Sequence, residues 1–230
     1  MAVLRKSKLT KLEIIKTATS MFLEVGYSKT SPQMIAKELG ISTGNLTYHY
    51  PTKEHLLEVL VEMLCDFQIK LLEYEAKEGM DSTMSVCIEL MTVAAACEDS
   101  EVAKDFFVST FQSQKCLDYL CKSHIARSKR IFAEQCKGWT DEQFAEAEIL
   151  ILGIDYAAII STNAPLAFDV RIGGALNQIL SIYNVPEEKR KEKIKKVQSM
   201  NYRAIGKRIF KEFKEYIEQE NEQAFDELLK

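Results

Sequence analysis

An all-α fold is predicted by three observations on this sequence. Glycine and proline number only 9 and 4 in 230 residues, too few turn-formers for many short strands. Apolar residues recur at steps of three and four along most of the chain, the period of one helix face. No stretch of strand length alternates apolar with polar residues.

Thr10 and Glu13 read as a T-x-x-E capping box at the start of the first helix. Ile14, Ala18, Met21 and Val25 then share a face, Phe22 widens it, and Gly26 is placed to end it. A second helix opens at Thr30-Ser31-Pro32. Ser31 can cap it, and Pro32 fits the first turn, where a missing N–H costs nothing. Ile35, Ala36 and Leu39 supply its buried face, and Gly40 stops it. Ile41 plugs the turn, Ser42 caps a third short helix through His49, and Pro51 interrupts that helix. Thr52 caps a long fourth helix whose Leu57, Leu60, Leu64, Phe67 and Leu71 form a heptad-like seam, with Gly79 placed at its end. Further helices are expected near 81–97, 101–114, 116–136, 141–163, 170–183, 187–199 and 201–219, followed by a short tail helix. Asp141 reads as an N-cap, and Pro165 and Pro186 as breaks. Glu187–Lys191 and Glu192–Lys196 are i,i+4 pairs of favourable order, and Ile205, Ile209, Phe213 and Ile217 stand four apart.

Hydrophobic residues make up 47% and charged residues 28%, a balance that suits a folded globular chain and not a disordered one. The net charge is −4, yet residues 1–53 hold eight basic side chains (Arg5 and Lys6 among them) against three acidic ones. A basic front on an acidic body suits a protein whose small end touches phosphate. The six cysteines form no C-x-x-C pair and lie mostly in apolar helical sequence, so reduced thiols in a reducing compartment are expected. MAVLRKSKLTK is too basic and mixed for a signal-peptide core. The greasiest run, 149–160, falls short of the roughly 20 apolar residues a membrane helix needs. The expectation is a cytoplasmic protein with no membrane partner.

Catalytic signatures do not emerge. There is no nucleophile–base motif, phosphate-binding loop or cofactor fingerprint, and Gly173-Gly174 lacks the strand such a loop needs. No catalytic residue, cofactor or enzyme activity is therefore expected. Cys121 and His124 lie three apart on a helix, but without a second dense pair no metal is expected either.

Two short helices joined by a glycine turn, the second followed by a proline, make a helix-turn-helix pattern. A recognition helix must pack on one side and stay narrow and polar on the other to enter the major groove. Leu46 is the only strongly apolar residue between Ser42 and Tyr48. Thr43, Asn45, Thr47 and Tyr48 are thus free to reach bases or sugars, and Gly44 permits close approach.

TSPQMIAKELG (30–40) followed by ISTGNLTYHYPTKEHLL (41–57) resembles the TetR/AcrR family of bacterial regulators. The pattern matches at Thr30, Ile35, Ala36, Gly40, Ile41, Ser42, Gly44, Leu46, His49, Lys53 and Leu56. Tyr50 stands where phenylalanine is usual and is expected to pack the core. Thr47 stands where the family most often has tyrosine, which puts that backbone or base-methyl contact in doubt. The LEVGY segment (23–27) resembles the exit of the family's first helix, so the likeness covers about residues 9–60.

The resemblance implies an N-terminal three-helix helix-turn-helix DNA-binding domain over 1–52. Behind it, at 53–230, it implies a helical ligand-binding and dimerisation domain. It assigns phosphate contacts to Thr30 or Ser31 at the second helix start, with Gln33 beside them, and to Lys53. It assigns a backbone contact to His49 with Tyr48 adjacent. It further implies a homodimer on a double-stranded, near-palindromic DNA operator, with repression relieved by an unidentified small-molecule effector. The alternative is a protein-interaction body tethered to DNA by the same head; an enclosed ligand-sized cavity would distinguish the two. Candidate ligand contacts are Met91, Phe107 and Phe111, together with Asp155. That carboxylate, alone in an apolar helix, needs a partner: a basic group such as Arg171 or a cationic ligand. For the dimer, 141–163, 170–183 and 201–219 are all apolar enough to contribute.

Overall fold

A computed structural model describes the backbone of residues 2–229, with side chains from Ser7 to Leu228. The side chains of Arg5 and Lys6, counted in the basic front, lie outside the described residues. Eleven helices and no strand occur among the described residues. They are α1 (Ala2–Glu24), α2 (Pro32–Glu38), α3 (Thr43–His49), α4 (Lys53–Lys77), α5 (Ser82–Asp99), α6 (Glu101–Gln112), α7 (Gln114–Ile131), α8 (Asp141–Ile160), α9 (Phe168–Ile182), α10 (Glu187–Gln198) and α11 (Tyr202–Leu229).

Four local expectations need correcting. Thr10 lies inside α1 and does not cap it, because the Ala, Leu, Arg and Lys residues before it are good helix formers and carry the helix back to Ala2. Val25 falls past the helix end and is exposed, so the buried stripe closes at Phe22 and Leu23. Thr140, not Asp141, caps α8. Its hydroxyl accepts from the Gln143 amide at 3.3 Å, and the Gln143 side chain accepts from the Thr140 amide at 2.9 Å. The expected tail helix merges into α11, since nothing after Gly206 interrupts a run of Glu, Gln, Lys and apolar residues.

Two buried clusters organise these helices. One joins Ile14, Ala18 and Phe22 of α1 to Ile35 of α2, Leu46 of α3 and Leu56, Leu57 and Leu60 of α4. It continues without a break into the body through Phe67, Phe106, Leu152 and Phe213. A cut between residues 52 and 53 therefore falls at the start of α4, while three turns of that helix fill the core beneath the head. The second cluster binds α5, α8 and α9 around Met91, Ile151, Ile172 and Leu176, with Phe132 stacked on Tyr183 at 4.0 Å between ring centroids. α8 buries Phe144, Ile151, Leu152 and Ile159, while Ile149 and Leu150 on its far side remain 65% and 55% exposed.

Candidate DNA interface and effector cavity

The head is built by short-range chemistry. The Ser31 hydroxyl accepts from the Met34 amide at 3.2 Å, with Pro32 in the first turn of α2. Gly40 takes φ +64, a conformation that disfavours a side chain, and this lets the Ile41 amide reach back to the Ala36 carbonyl at 3.0 Å. The Ser42 hydroxyl then accepts from the Asn45 amide at 3.1 Å and starts α3. α3 is pinned at one point, Leu46, which is 1% exposed.

The rest of α3 faces outward or along the rim. Gly44, Asn45 and Tyr48 are exposed, with Tyr48 at 79%; Thr43, Thr47 and His49 are half-buried. The Tyr48 and His49 rings meet edge to face at 5.2 Å. Thr47 donates its hydroxyl back to the Thr43 and Gly44 carbonyls at 3.1 and 3.2 Å, which holds it against its own helix. Tyr50 is buried in the head core.

The second-helix candidates separate. Gln33 is exposed and Ser31 half-buried. Thr30 is buried, and its hydroxyl donates to the Gly26 carbonyl at 2.8 Å, so it braces the turn from within. Lys53 is similarly engaged. Its ammonium donates to the Tyr27 and Thr30 carbonyls at 2.9 and 3.0 Å and lies 4.0 Å from the Tyr27 ring centroid. Of three ammonium hydrogens, two are committed. Burial lowers the Lys53 pKa, opposed by Asp105.

Sequence reasoning did not find what ties this head to the body. Asp105 on α6 accepts from the Ser28 amide at 2.8 Å and from the Ser28 hydroxyl. A Cβ on Gly26, whose φ is +105, would stand 3.0 Å from the same carboxylate oxygen. Nearby, the Ser113 hydroxyl donates to Glu54 at 2.5 Å and joins the α6–α7 corner to the start of α4. No local pattern marks Asp105, because its partner is 77 residues away.

The body holds a cavity in two lobes. The first, about 100 Å³, is walled by Phe67 and Leu71 of α4, Phe106 of α6, and Ile209, Phe210 and Phe213 of α11. The second, about 80 Å³, lies against Phe111, His124, Ser128, Glu148, Asp155 and Tyr183. Gln68, Glu89, Phe107 and Arg127 line both lobes, so the two are adjacent. Three of the four ligand candidates (Phe107, Phe111 and Asp155) thus meet on one cavity. Met91 does not; it is fully buried on another face of α5, inside the second cluster. Arg171 does not reach Asp155. It pairs with Glu98 on α5 at 2.6 Å and with the Ala158 carbonyl.

The polar end of the cavity comes from residues the sequence reading left aside. Arg127 donates to Glu89 at 2.7 Å, and Gln68 donates to the other Glu89 oxygen at 2.7 Å. Tyr183 donates to Glu148, and His124 Nδ1 stands 3.7 Å from Glu148. Burial, and then Arg127, lower the His124 pKa to about 3, so the ring is neutral at ordinary pH. Burial raises the Glu148 pKa, opposed by the Tyr183 and Ser128 hydroxyls. One sequence signal was available: Glu148 and Asp155 are seven apart, two turns along one face of an apolar helix.

On the outside of α8, exposed Ile149, Leu150, Gly153 and Ala157 form an apolar strip. Leu166, just before α9, and Val170, in its first turn, are also exposed, at 57% and 61%. No helix among the described residues is long and apolar enough to cross a membrane.

Residues 14–60 match the family model for bacterial regulatory proteins of the tetR family. Over 44 residues the chain is 50% identical to YuxN of Bacillus subtilis (strain 168), an uncharacterised HTH-type transcriptional regulator; this covers 19% of this chain and 15% of that protein. The chain thus spans well under two thirds of that relative. Among solved structures, the FadR repressor of Thermus thermophilus, in complex with lauroyl-CoA, aligns over 77% of this chain and 96% of its own. The TM-score is 0.57 at 15% identity. SmeT, repressor of a Stenotrophomonas maltophilia multidrug efflux pump, aligns over 74% and 88%, with a TM-score of 0.52 at 16% identity. At these identities the two likenesses concern the fold.

Proposed function

Through residues 14–60 this chain belongs to the tetR family of bacterial regulatory proteins, and from that premise we propose that it is a sequence-specific transcriptional repressor, released from a palindromic operator by a small molecule. It is a regulator and not an enzyme. The proposal rests above all on α3, a short helix held by a single buried leucine and presenting Gly44, Asn45 and Tyr48 outward. That is the shape a major-groove reader needs.

Asn45 and Tyr48, with Thr43 and Thr47 at the rim, read base edges and methyl groups. His49, Gln33 and Ser31 contact the backbone beside the α2 start. Thr30 acts from inside by fixing the turn. Lys53 offers a phosphate at most its one uncommitted ammonium hydrogen while holding α4 to that turn. The apolar strip on α8 and α9 is the homodimer interface, since burying it against a second copy removes exposed apolar surface from water. Two heads in that dimer would meet successive major grooves about 34–36 Å apart.

The rival reading, a DNA-tethered protein-interaction body, expects a solid core. The two-lobed cavity favours a small-molecule effector instead. A gel-shift experiment with the duplex upstream of the protein's own operon tests the core claim. Retarded bands that survive competitor DNA are expected; failure to retard any duplex even at low salt would remove the DNA-binding reading.

A further inference from the structure

We propose that the effector is an amphipathic organic cation: an amine whose charged head sits against Asp155 and whose hydrocarbon body fills the lobe between α4, α6 and α11. This inference rests on the effector-cavity reading and adds the charge of the ligand.

The argument is one of unbalanced charge. The second lobe gathers three carboxyl groups (Glu89, Glu148 and Asp155) and one cation, Arg127. Arg127 is already matched, bonded to Glu89 at 2.7 Å. Glu148 is satisfied by a neutral donor, the Tyr183 hydroxyl. His124 brings no positive charge, and its Nε2 is buried with no hydrogen-bond partner.

That leaves Asp155. It forms no hydrogen bond or ion pair with any described residue, and its accessible surface faces the cavity. α5 and α7 present Glu89, Arg127 and His124 to this region, α8 presents Glu148, and Tyr183 follows the end of α9; α6 contributes only Phe107, Thr110 and Phe111. Burial, followed by Glu89 and Glu148, raises the Asp155 pKa to about 8, opposed by Arg127. A buried carboxyl in this setting either keeps its proton or finds a cation.

Other ligand chemistries fit less well. A carboxylate or phosphate ligand would meet three acids and an arginine already engaged. A purely apolar ligand would leave Asp155 without a partner. An ammonium group can donate to the acceptors this lobe offers, the Asp155 carboxylate and Glu148, and lie against the faces of Phe107 and Phe111. The apolar lobe adjoins this point across Phe107 and Gln68, which line both lobes, so the head and body of the proposed ligand find opposite surroundings on either side of them.

The test is an isosteric probe series (octylamine, octan-1-ol and octanoate) bound to the full chain and followed by calorimetry at pH 6.5 and 8.5. Octylamine stays charged across this range, as lysine does. At pH 8.5 it should bind about tenfold more tightly than octan-1-ol, with octanoate weakest. The preference should shrink toward pH 6.5, where the amine must first displace the Asp155 proton. D155N should erase the preference and leave octan-1-ol binding intact. Should that variant not fold, the pH dependence in the parent chain decides. Octanoate equal to or tighter than octylamine, an amine preference that ignores pH, or one that persists in D155N, each overturns the proposal. Octan-1-ol binding with no amine preference defeats only the charge assignment. No binding by any of the three defeats the effector-cavity reading together with it.

Discussion

Asp155→Asn should also change how stability depends on pH, by an amount the structure sets. In the unfolded chain the carboxyl titrates near 3.8; in the native protein it holds its proton to about 8. Between those values the native state binds more protons than the unfolded chain, so stability falls as pH rises. His124 acts in the opposite sense. Its pKa drops from 6.5 to about 3 on folding, so the unfolded chain takes up the proton first, and stability rises as pH climbs through that interval. The two slopes oppose each other below pH 6.5, and only the acid slope survives above it. One pKa unit corresponds to about 1.4 kcal/mol, so from pH 6.5 to pH 8 Asp155 alone accounts for a loss of at most roughly 2 kcal/mol. Glu148, raised in the same direction by burial, interacts with Asp155, so the double difference reports Asp155 together with the change its removal makes at Glu148. Urea unfolding of parent and variant at these two pH values, at one protein concentration, gives the double difference. The variant should gain on the parent by that amount as pH rises. Equal losses in both proteins would mean that Asp155 is not embedded as described, and the charge argument for the cavity would fall with it.

Tyr48→Ala and Leu46→Ala should separate reading from folding. The first, at a side chain 79% exposed, should leave stability within about 0.5 kcal/mol and weaken operator binding tenfold or more in fluorescence anisotropy. The second, at a residue 1% exposed, should cost about 2–5 kcal/mol by thermal unfolding. Asp105→Ala removes both acceptors of Ser28, so amide hydrogen exchange at Ser28 should accelerate about tenfold; unchanged protection there would show that the α6 contact does not restrain the head. Ile149→Glu combined with Val170→Glu places charge on the exposed apolar strip and should shift a dimer to monomer in sedimentation, while the same pair leaving a dimer intact would move the interface elsewhere.

The head was legible because its rules are local. Ser31, Pro32, Gly40 and Ser42 each act within four residues of themselves, and each does in the structure what its position in the sequence suggests. Thr10 misled for the same reason: a capping pattern is local, and the good helix formers before it extend the helix beyond it. The body's helices were legible from period, but the site between them was not. Glu89, Arg127 and Glu148 come from α5, α7 and α8 and converge only through packing. Asp155 was visible as a charge out of place, but the sequence could not choose its neighbour, and Arg171, one plausible partner, is drawn to Glu98 instead. Met91 and Phe107 looked alike as large apolar residues; helix rotation buries one in a closed cluster and turns the other to the cavity.

Three consecutive residues of α6 touch both halves of the fold. Asp105 grips the α1–α2 turn at Ser28, Phe106 belongs to the buried cluster that also holds Leu46, and Phe107 lines both lobes of the cavity. Successive residues on a helix point about 100° apart, so one rod touches turn, head core and cavity at once. A ligand pressing on Phe107 cannot displace that residue alone, because the helix backbone is stiff and the cluster around Phe106 is close-packed. Any rotation of α6 must either strain the Ser28 contact or carry the turn with it. Thr30, bonded to Gly26, and Lys53, bonded to Tyr27 and Thr30, extend that turn to the starts of α2 and α4. Under the proposed repressor reading, a ligand that binds one α6 orientation better than the other would bias where α3 points, by no more than the difference between its two affinities. Under the proposed effector reading, an effector that merely fills space equally well in both orientations would bind and regulate nothing, and the charged end of the cavity, against α8, is where discrimination between the two states would arise.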